Sequence, residues 1–269
     1  MADFEVGLTL KHMDVFREMT RIGHRQFEWQ RGFLNGPQVY RWHFLYGGPE
    51  ARALFEARHG LSIPDFAKFA FVLHALFLKH AAGPPGDLPQ LAELPEATVR
   101  AALAMVCAPI ERARADARDL RKSRTDINYQ PSQLRKTPVI SFGAGARIRA
   151  PLPDLLIVRA TEGVYYDLVG ASGEVRNEIA DRFEDYTRDF LNAALPDRRA
   201  VACPKYRWKG QPVAGPDVLL YDGARLAAVI ECKARKMSLR GRYAESSPTA
   251  EDGVEELAKG VFQLWKYVS

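Results

Sequence analysis

The sequence has little cysteine and no long apolar run. Its three cysteines, Cys107, Cys203 and Cys232, are widely spaced, which argues against a disulfide framework or a zinc knuckle and favours a reducing, cytoplasmic environment. The most apolar segment, residues 66–78, contains a lysine and a histidine and is far shorter than the roughly 20 residues that a membrane helix needs. We therefore interpret it as a buried core helix and expect no membrane contact.

The sequence also lacks two other simple signals. Residues 1–11 include Asp3 and Glu5 and contain no apolar block, so we expect no signal peptide. All six histidines lie within the first 80 residues, and none completes a Glu-x-x-x-His pattern. We interpret them as core or surface residues.

The overall composition is that of an ordinary globular protein. The chain has 269 residues, is 47% hydrophobic and 26% charged, and has a formal net charge of +5. This length suffices for one large or two modest domains. The mild positive charge favours phosphate-bearing partners, although a composition rich in arginine and alanine gives the same value without any nucleic acid.

The first part of the chain has a helical pattern. Apolar residues recur at near-helical spacing over residues 9–31, and proline and glycine separate this segment from further helical stretches up to residue 124. The basic run in residues 111–124 is interleaved with acids, which is typical of a solvated, ion-paired helix face. We predict an all-helical domain over residues 1–125, and we expect it to bind a recognition target or a protein partner.

The next part changes character. Residues 126–138 are polar and without periodicity, as expected for a boundary. Short apolar runs at residues 139–142, 155–158 and 164–168 predict strands between glycine and proline turns. We predict a β-rich connector over residues 126–173, which either packs on the sheet of the following domain or bridges that sheet to the helical domain.

The chemistry is concentrated in a predicted hairpin. Two apolar runs, residues 218–221 and 226–230, flank Asp222-Gly223, a favoured pair for a tight turn. Antiparallel pairing brings Asp217 and Glu231 to the same open end. Lys233 shares a face with Glu231, because strand side chains alternate, and the carbonyl of Cys232 is left free as a further oxygen ligand.

Two carboxylates and a carbonyl make a hard oxygen site that suits Mg²⁺ or Mn²⁺ better than zinc. A lysine beside such a site can hold an attacking water, accept its proton, or offset charge on a phosphate. The hairpin therefore predicts a metal site with Asp217 and Glu231 as ligands. Lys233 is expected to position or activate the attacking water.

The pattern resembles the PD-(D/E)XK phosphodiesterase superfamily, which has the restriction-endonuclease-like fold. The matching residues are Pro216-Asp217 and Glu231-Cys232-Lys233. The resemblance extends to Phe183-Glu184 in a predicted helix over residues 177–194, and to Gln263 and Tyr267, which match the Gln-x-x-x-Tyr motif of the RecB-type branch. It implies an α/β fold, α+β for the chain as a whole, with an αβββα core over residues 174–269.

The resemblance also implies roles for the flanking residues. Glu184 is expected to add a third carboxylate to the metal site, with Glu178 an equally plausible candidate. Gln263 and Tyr267 are expected to orient Lys233 and contact a nucleic-acid backbone. The alternative is that they only border the apolar face of a helix, formed by Val261, Leu264, Trp265 and Val268. The family core continues with another strand after this helix, so we expect the closing strand to come from a longer chain or from elsewhere.

A basic aromatic segment precedes the hairpin. Lys205, Arg207, Trp208 and Lys209 alternate cations with an aromatic ring, a pattern suited to gripping a phosphate backbone and stacking bases. The alternative is a short basic turn in a basic protein.

Together these features predict a Mg²⁺- or Mn²⁺-dependent nuclease that hydrolyses DNA in defence, restriction or repair. DNA is preferred to RNA because of the resemblance. The alternatives are a non-catalytic nucleic-acid-binding or scaffold module of a larger assembly, and a helical adaptor that binds no metal. The sequence leaves open whether DNA is cut as single or double strands, and which oligomer forms.

Overall fold

The structure is a computed structural model that describes residues 36–122, 132–168, 170, 173–213, 215–233 and 247–269. The helix expected over residues 9–31, and part of the boundary expected over residues 126–138, lie outside these ranges. The described chain is a mixture of helices and small sheets. Its residue contacts define two compact units, one of residues 36–39 and 55–167 and the other of residues 40–54 and 168–269.

The helices of the described chain, in order, are α1 (Gly36–Leu45), α2 (Pro49–His59), α3 (Ile63–Lys79), α4 (Leu88–Ala92), α5 (Glu96–Val106), α6 (Ile110–Lys122), α7 (Asp154–Ala160), α8 (Val164–Leu168), α9 (Gly173–Ala194) and α10 (Ser247–Val268). The strands are β1 (Cys107–Pro109), β2 (Val139–Phe142), β3 (Arg147–Arg149), β4 (Arg198–Ala202), β5 (Tyr206–Trp208), β6 (Gln211–Val213), β7 (Val218–Asp222) and β8 (Arg225–Ile230).

Helix α3 is the centre of the first unit. Its N-terminus is capped by Ser62, whose hydroxyl oxygen accepts a 3.1 Å hydrogen bond from the backbone N–H of Asp65, as helix starts prefer. Phe66, Phe69 and Leu73 on this helix are fully buried, which confirms the prediction of a core helix.

No single helix in the described ranges is long and apolar enough to cross a membrane. Helices α2 and α3 meet that test of length and composition only when they are taken together as a bent pair.

A small sheet with the order β1-β2-β3 belongs to the same unit, with β1 parallel to β2 and β2 antiparallel to β3. Strand β1 lies inside the segment predicted to be all helical, and that prediction is wrong at Cys107–Pro109. Three residues ending in a proline give no detectable strand pattern, and pairing with β2 decides their conformation.

Two strands predicted for the β-rich connector are helices. Residues 155–158 fall in α7, where Leu155, Leu156 and Ile157 are buried, and residues 164–168 form α8. An apolar run of four or five residues has no periodicity that separates a buried strand from a buried helix. In its helical form, α7 packs against α3, and this packing determines that residues 155–158 are helical. In the described part of residues 126–173, the strands are β2 and β3.

A buried ion pair closes the turn between α7 and α8. The guanidinium of Arg159 donates to both carboxylate oxygens of Asp167, at 2.7 and 3.0 Å, and the two side chains are only 10% and 13% exposed. Arg58 donates to the backbone carbonyl of Asp167, and His59 Nε2 lies 3.4 Å from its carboxylate. Burial lowers the pKa of His59, although the charge of Asp167 opposes this.

The second unit contains an antiparallel sheet with the order β4-β7-β8. Ala200, Val218 and Leu220 form its buried core. Leu191 in the last turn of α9 and Leu195, directly after the helix, pack against that core. One face of the sheet is therefore covered by α9.

Asn192 of α9 protects the outer edge of this sheet. Its side-chain oxygen accepts from the backbone N–H of Ala200 at 2.8 Å, and its side-chain nitrogen donates to the carbonyl of Ala200 at 3.1 Å. The amide thus takes the place of a neighbouring strand at the middle of β4, where unpaired backbone groups would otherwise invite pairing with another chain.

Candidate active site

The hairpin of β7 and β8 forms as predicted. Asp222 pairs with Arg225 across a two-residue loop, and Gly223 has φ +58°, the positive value that primed turns require at this position. At the other end Val218 pairs with Ile230. Asp217 and Glu231 each lie one residue beyond this last pair, so the register brings them next to one another.

Asp217 is held by the backbone of the opposite strand. Its Oδ2 accepts a 2.5 Å hydrogen bond from the N–H of Cys232. The chain enters this position through Gly215, where a Cβ would lie 2.4 Å from Cys203 Sγ and 2.8 Å from the carbonyl oxygen of Pro204. Only glycine allows that close approach of the chain before Asp217. The backbone path through Gly215 and the hydrogen bond from Cys232 thus position the Asp217 carboxylate.

Lys233 lies between Glu231 and helix α10. Its Nζ donates to Glu231 Oε1 at 2.5 Å and to Gln263 Oε1 at 3.0 Å. The Glu231 side chain is 3% exposed and that of Lys233 is 27% exposed, so the ammonium group is the part of the pair that solvent or a ligand can reach. Glu231 Oε2 is buried and has no hydrogen-bond partner among the described residues.

Gly260 provides the space for this pair, and sequence reasoning missed it. It is buried on α10, one turn before Gln263, and a Cβ there would lie 3.2 Å from Lys233 Cε and 3.5 Å from Glu231 Cγ. The signal that could have found it is a glycine inside a helix, which costs about 1 kcal/mol relative to alanine and so calls for a packing or functional reason.

Glu184 is placed beside Asp217. Burial and, after it, the negative charges of Asp217 and Asp181 raise the pKa of the Glu184 carboxyl to about 7, although Arg188 opposes the rise. The Glu184 and Asp217 carboxyls are also close enough to share a hydrogen bond. Burial raises the pKa of Glu231 too; the hydrogen bond from Lys233 opposes that rise and the charge of Asp217 adds to it.

Glu178, the other candidate for the third carboxylate, caps a helix instead. Its carboxylate accepts from the backbone N–H groups of Glu50 at 3.2 Å and Ala51 at 2.9 Å, and so caps the N-terminus of α2. A Cβ on Gly48 would lie 2.2 Å from this carboxylate, which shows how closely the helix start is packed on it. Of the two candidates, the structure brings only Glu184 to Asp217.

Cys232 faces away from the carboxylates of its neighbours in sequence, as strand alternation requires. Its thiol packs against the core of the sheet and lies 3.5 Å from Thr187 Oγ1 on α9. Burial raises the pKa of this thiol, so it stays protonated at neutral pH. Its backbone N–H contacts Asp217; the ligand role of its carbonyl stays a prediction.

Tyr267 lies one turn after Gln263 but has different neighbours. Its ring meets that of Tyr206 edge to face, with centroids 5.1 Å apart. Burial raises the pKa of the Tyr267 hydroxyl, and its hydrogen bond to Cys203 adds to the rise. Of the Gln-x-x-x-Tyr pair, the structure brings Gln263 to Lys233, whereas Tyr267 attaches α10 to β5.

The basic aromatic segment is a second, smaller hairpin. Strands β5 and β6 are joined by Lys209 and Gly210, with φ of +48° and +80°, as a two-residue type I′ turn requires. Lys205, Arg207 and Lys209 are exposed, and Trp208 is partly buried. The predicted nucleic-acid-binding residues of this segment therefore share one exposed hairpin that packs on α10 through Tyr206.

The alternative for Gln263 and Tyr267 is that they border an apolar face of α10 formed by Val261, Leu264, Trp265 and Val268. Val261, Trp265 and Val268 are 67%, 54% and 68% exposed. The inward face carries the buried Gly260 and the half-buried Gln263, Leu264 and Tyr267. Three of the four apolar residues thus lie on the exposed side of the helix, and the contact of Gln263 and Tyr267 with a nucleic acid stays a prediction.

The donor set fits the Mg²⁺ or Mn²⁺ that the resemblance implies. The carboxyl of Asp217 acts on those of both Glu231 and Glu184, and Glu231 Oε2 is buried without a partner in the part of the chain that the structure describes. Among the described residues, no three His, Cys, Asp or Glu side chains lie close enough to bind one metal ion together. Magnesium commonly takes one or two carboxylates and keeps several waters, so a pair of carboxylates meets its needs.

Comparison with models of protein families, with curated proteins and with solved structures gives no match for this chain. The geometry and chemistry of the site therefore have to support any functional conclusion.

Proposed function

We propose that this chain is a metal-dependent nuclease that hydrolyses phosphodiester bonds of DNA. The observation that carries the proposal is the position of Lys233, whose ammonium contacts Glu231 and Gln263 at 2.5 and 3.0 Å, while the charge of Asp217 acts on Glu231. A cation held beside a carboxylate pair can contact a phosphate, a metal-bound oxygen or a water, and all three take part in hydrolysis of a phosphodiester.

Asp217 and Glu231 would hold the metal ion, with the Cys232 carbonyl and Glu184 as further oxygen donors. When bound, the ion polarises a phosphoryl oxygen and lowers the pKa of bound water. Burial and then the charge of Asp217 raise the pKa of Glu184, and a divalent cation would relieve the repulsion between the two carboxylates.

Lys233 acts on the reacting oxygens. Among the described residues, its three N–H donors have two acceptors, the carboxylate of Glu231 and the side-chain oxygen of Gln263. The third N–H would then donate to an attacking water or a non-bridging phosphate oxygen. The carbonyl of Gln263 restricts the rotation of the ammonium group, so that this third donor has a fixed direction.

The finer architecture is part of the same proposal. Residues 174–269 form a restriction-endonuclease-like αβββα core, preceded by a recognition domain over residues 1–125 and a connector over residues 126–173. The order α9, β4, β7, β8, α10 supports this assignment. Work in defence, restriction or repair would suit a nuclease with an added recognition domain.

The test is cleavage of linear double-stranded, circular and single-stranded DNA with Mg²⁺ or Mn²⁺, and with EDTA. We expect wild-type cleavage that EDTA abolishes and that Lys233→Ala and Glu231→Ala each reduce about 100-fold or more. Asp222→Asn, at the turn end of β7, and Lys79→Ala, exposed on α3, are matched controls that should cut like the wild type. Full activity of Lys233→Ala would contradict the mechanism.

The same experiment separates the second candidate, a non-catalytic nucleic-acid-binding module. Glu231 accepts a hydrogen bond from Lys233, and Asp217 accepts one from the Cys232 N–H. Because both carboxylates already have protein partners, the geometry also suits a site that binds nucleic acid without cleaving it. DNA binding without cleavage by the full chain, in either metal, would favour that module over the nuclease.

A further inference from the structure

The outward face of α10 carries two exposed aromatic rings. Phe262 is 51% exposed and Trp265 is 54% exposed. Their rings are stacked, with centroids 5.7 Å apart and planes at 17°. Large rings are normally buried to remove their surface from water, so this exposed pair indicates a surface that meets a ligand.

The β5–β6 hairpin adds a third ring. Trp208 lies 6.1 Å from Trp265, centroid to centroid, with the planes at 62°. We name Trp208, Phe262 and Trp265 the aromatic platform. Two cations sit on its rings: Lys266 Nζ is 4.4 Å from the centroid of Phe262 and Lys209 Nζ is 5.9 Å from that of Trp208.

The two segments that supply the platform carry charge of one sign. The segments 204–213 and 258–269 contain Lys205, Arg207, Lys209, Lys259 and Lys266, and neither contains an aspartate or glutamate. A surface of rings and cations without acids is complementary to a polyanion that also has flat apolar faces. Nucleic acid has this combination, and an average protein surface does not.

The platform is next to the candidate active site. Gln263, which accepts from Lys233, directly follows Phe262 on α10 and precedes Lys266 by three residues. With 100° per residue, Lys266 falls between Phe262 and Gln263 around the helix. A strand whose bases stack on the platform would therefore present its phosphates, past Lys266, to Lys233 and the carboxylates.

We infer that the aromatic platform binds unpaired bases, so that the substrate of the site is single-stranded DNA or a duplex end with a single-stranded tail. Stacking on a side chain needs an open base face, and an intact duplex covers these faces with neighbouring base pairs. Each stacked base contributes about 1–3 kcal/mol, which corresponds to a factor of about 5 to 150 in affinity. The inference rests on the proposed function for the identity of the ligand as DNA.

The test is binding in EDTA, which prevents cleavage, measured by fluorescence anisotropy. The probes are an oligothymidylate, an abasic oligonucleotide of the same length and a blunt duplex. We expect the full chain to bind the oligothymidylate at least tenfold more tightly than the abasic strand. Phe262→Ala and Trp265→Ala should each remove most of this difference, with little effect on duplex binding. Trp265→Phe keeps a ring and should restore it.

A matched control is Val268→Ser, which removes another exposed apolar side chain of α10 that is not aromatic. It should bind like the wild type. The inference is overturned if the abasic strand binds as tightly as the oligothymidylate, or if the alanine variants keep full single-strand binding. It is also overturned if those variants instead convert a dimer to a monomer in sedimentation, because the platform is then an interface between two copies.

Failure of the nuclease proposal has a different signature. A wild-type chain that binds unpaired DNA through the platform but cuts no DNA would refute the nuclease and support the platform. A chain that cuts blunt duplex and circular DNA, with no loss in Trp265→Ala, would support the nuclease and refute the platform.

Discussion

Lys233 Nζ and Gln263 Oε1 are 3.0 Å apart, and this hydrogen bond joins the end of the β7–β8 hairpin to helix α10. The two residues are 30 positions apart in the chain. Because Nζ also contacts Glu231, the helix and the strand position the ammonium group together. The orientation of this lysine thus depends on an uncharged amide.

Gln263→Leu should lower kcat about 10- to 100-fold, the cost of a small misplacement of a reacting group, while leaving KM for DNA within a few fold. Leucine has a similar volume but no acceptor, so Lys233 loses its fixed direction. Gln263→Glu keeps an acceptor and should retain more activity than Gln263→Leu. Steady-state kinetics measures both effects, and a kcat of Gln263→Leu equal to that of the wild type would show that the contact has no positioning role.

Gly260→Ala tests the space that Lys233 and Glu231 occupy. A methyl group would lie 3.2 Å from Lys233 Cε, so the lysine must move by a few tenths of an ångström, and we expect a several-fold loss of kcat. The helix itself should gain about 1 kcal/mol from the change to alanine. Gly260→Val should abolish most of the activity. Thermal unfolding of the same variants separates displacement of the lysine from loss of folding.

Ala258→Val is the matched control for Gly260→Val. Residue 258 is exposed on the same helix, so a valine there has the same unfavourable helix propensity but touches neither Lys233 nor Glu231. Equal activity losses in the two valine variants would mean that Gly260 matters only for the helix.

The hairpin was predictable because three local signals agree: two apolar runs, an Asp222-Gly223 turn and a register that fixes which residues are opposite. The contact of Gln263 with Lys233 was expected from the resemblance to the Gln-x-x-x-Tyr motif. The exposure of Trp265 was not, because periodicity assigns apolar residues inward, whereas the inward face of α10 carries Gly260, Gln263, Leu264 and Tyr267. The helical form of residues 155–158 was not predictable either, since packing against α3 decides a run too short for periodicity.

Glu184 should make the stability of the metal-free protein depend on pH. Its pKa is raised from 4.5 to about 7, so between these values the folded state binds more protons than the unfolded state, and stability falls as pH rises through this window. Glu184→Gln carries no charge at any pH. In EDTA we expect this variant to be more stable than the wild type at pH 8 and equal to it at pH 4, as measured by urea unfolding.

The control for this effect is Asp189→Asn, an exposed acid on the same helix, which should not change the pH dependence. Adding Mg²⁺ at pH 8 should stabilise the wild type more than Glu184→Gln, because the cation offsets the repulsion from Asp217. A Glu184→Gln variant that is destabilised equally at both pH values would show that the carboxyl is not the source of the effect.

Asp167→Asn should destabilise the first unit by about 3–5 kcal/mol, because Arg159 then keeps a buried charge without its bidentate partner. Hydrogen exchange measured by mass spectrometry on the full chain should show faster exchange in α7 and α8 and unchanged exchange in β7 and β8. The double variant Arg159→Met with Asp167→Asn removes the charge as well and should recover a large part of the loss. If Asp167→Asn exchanges like the wild type, the ion pair does not hold these helices together.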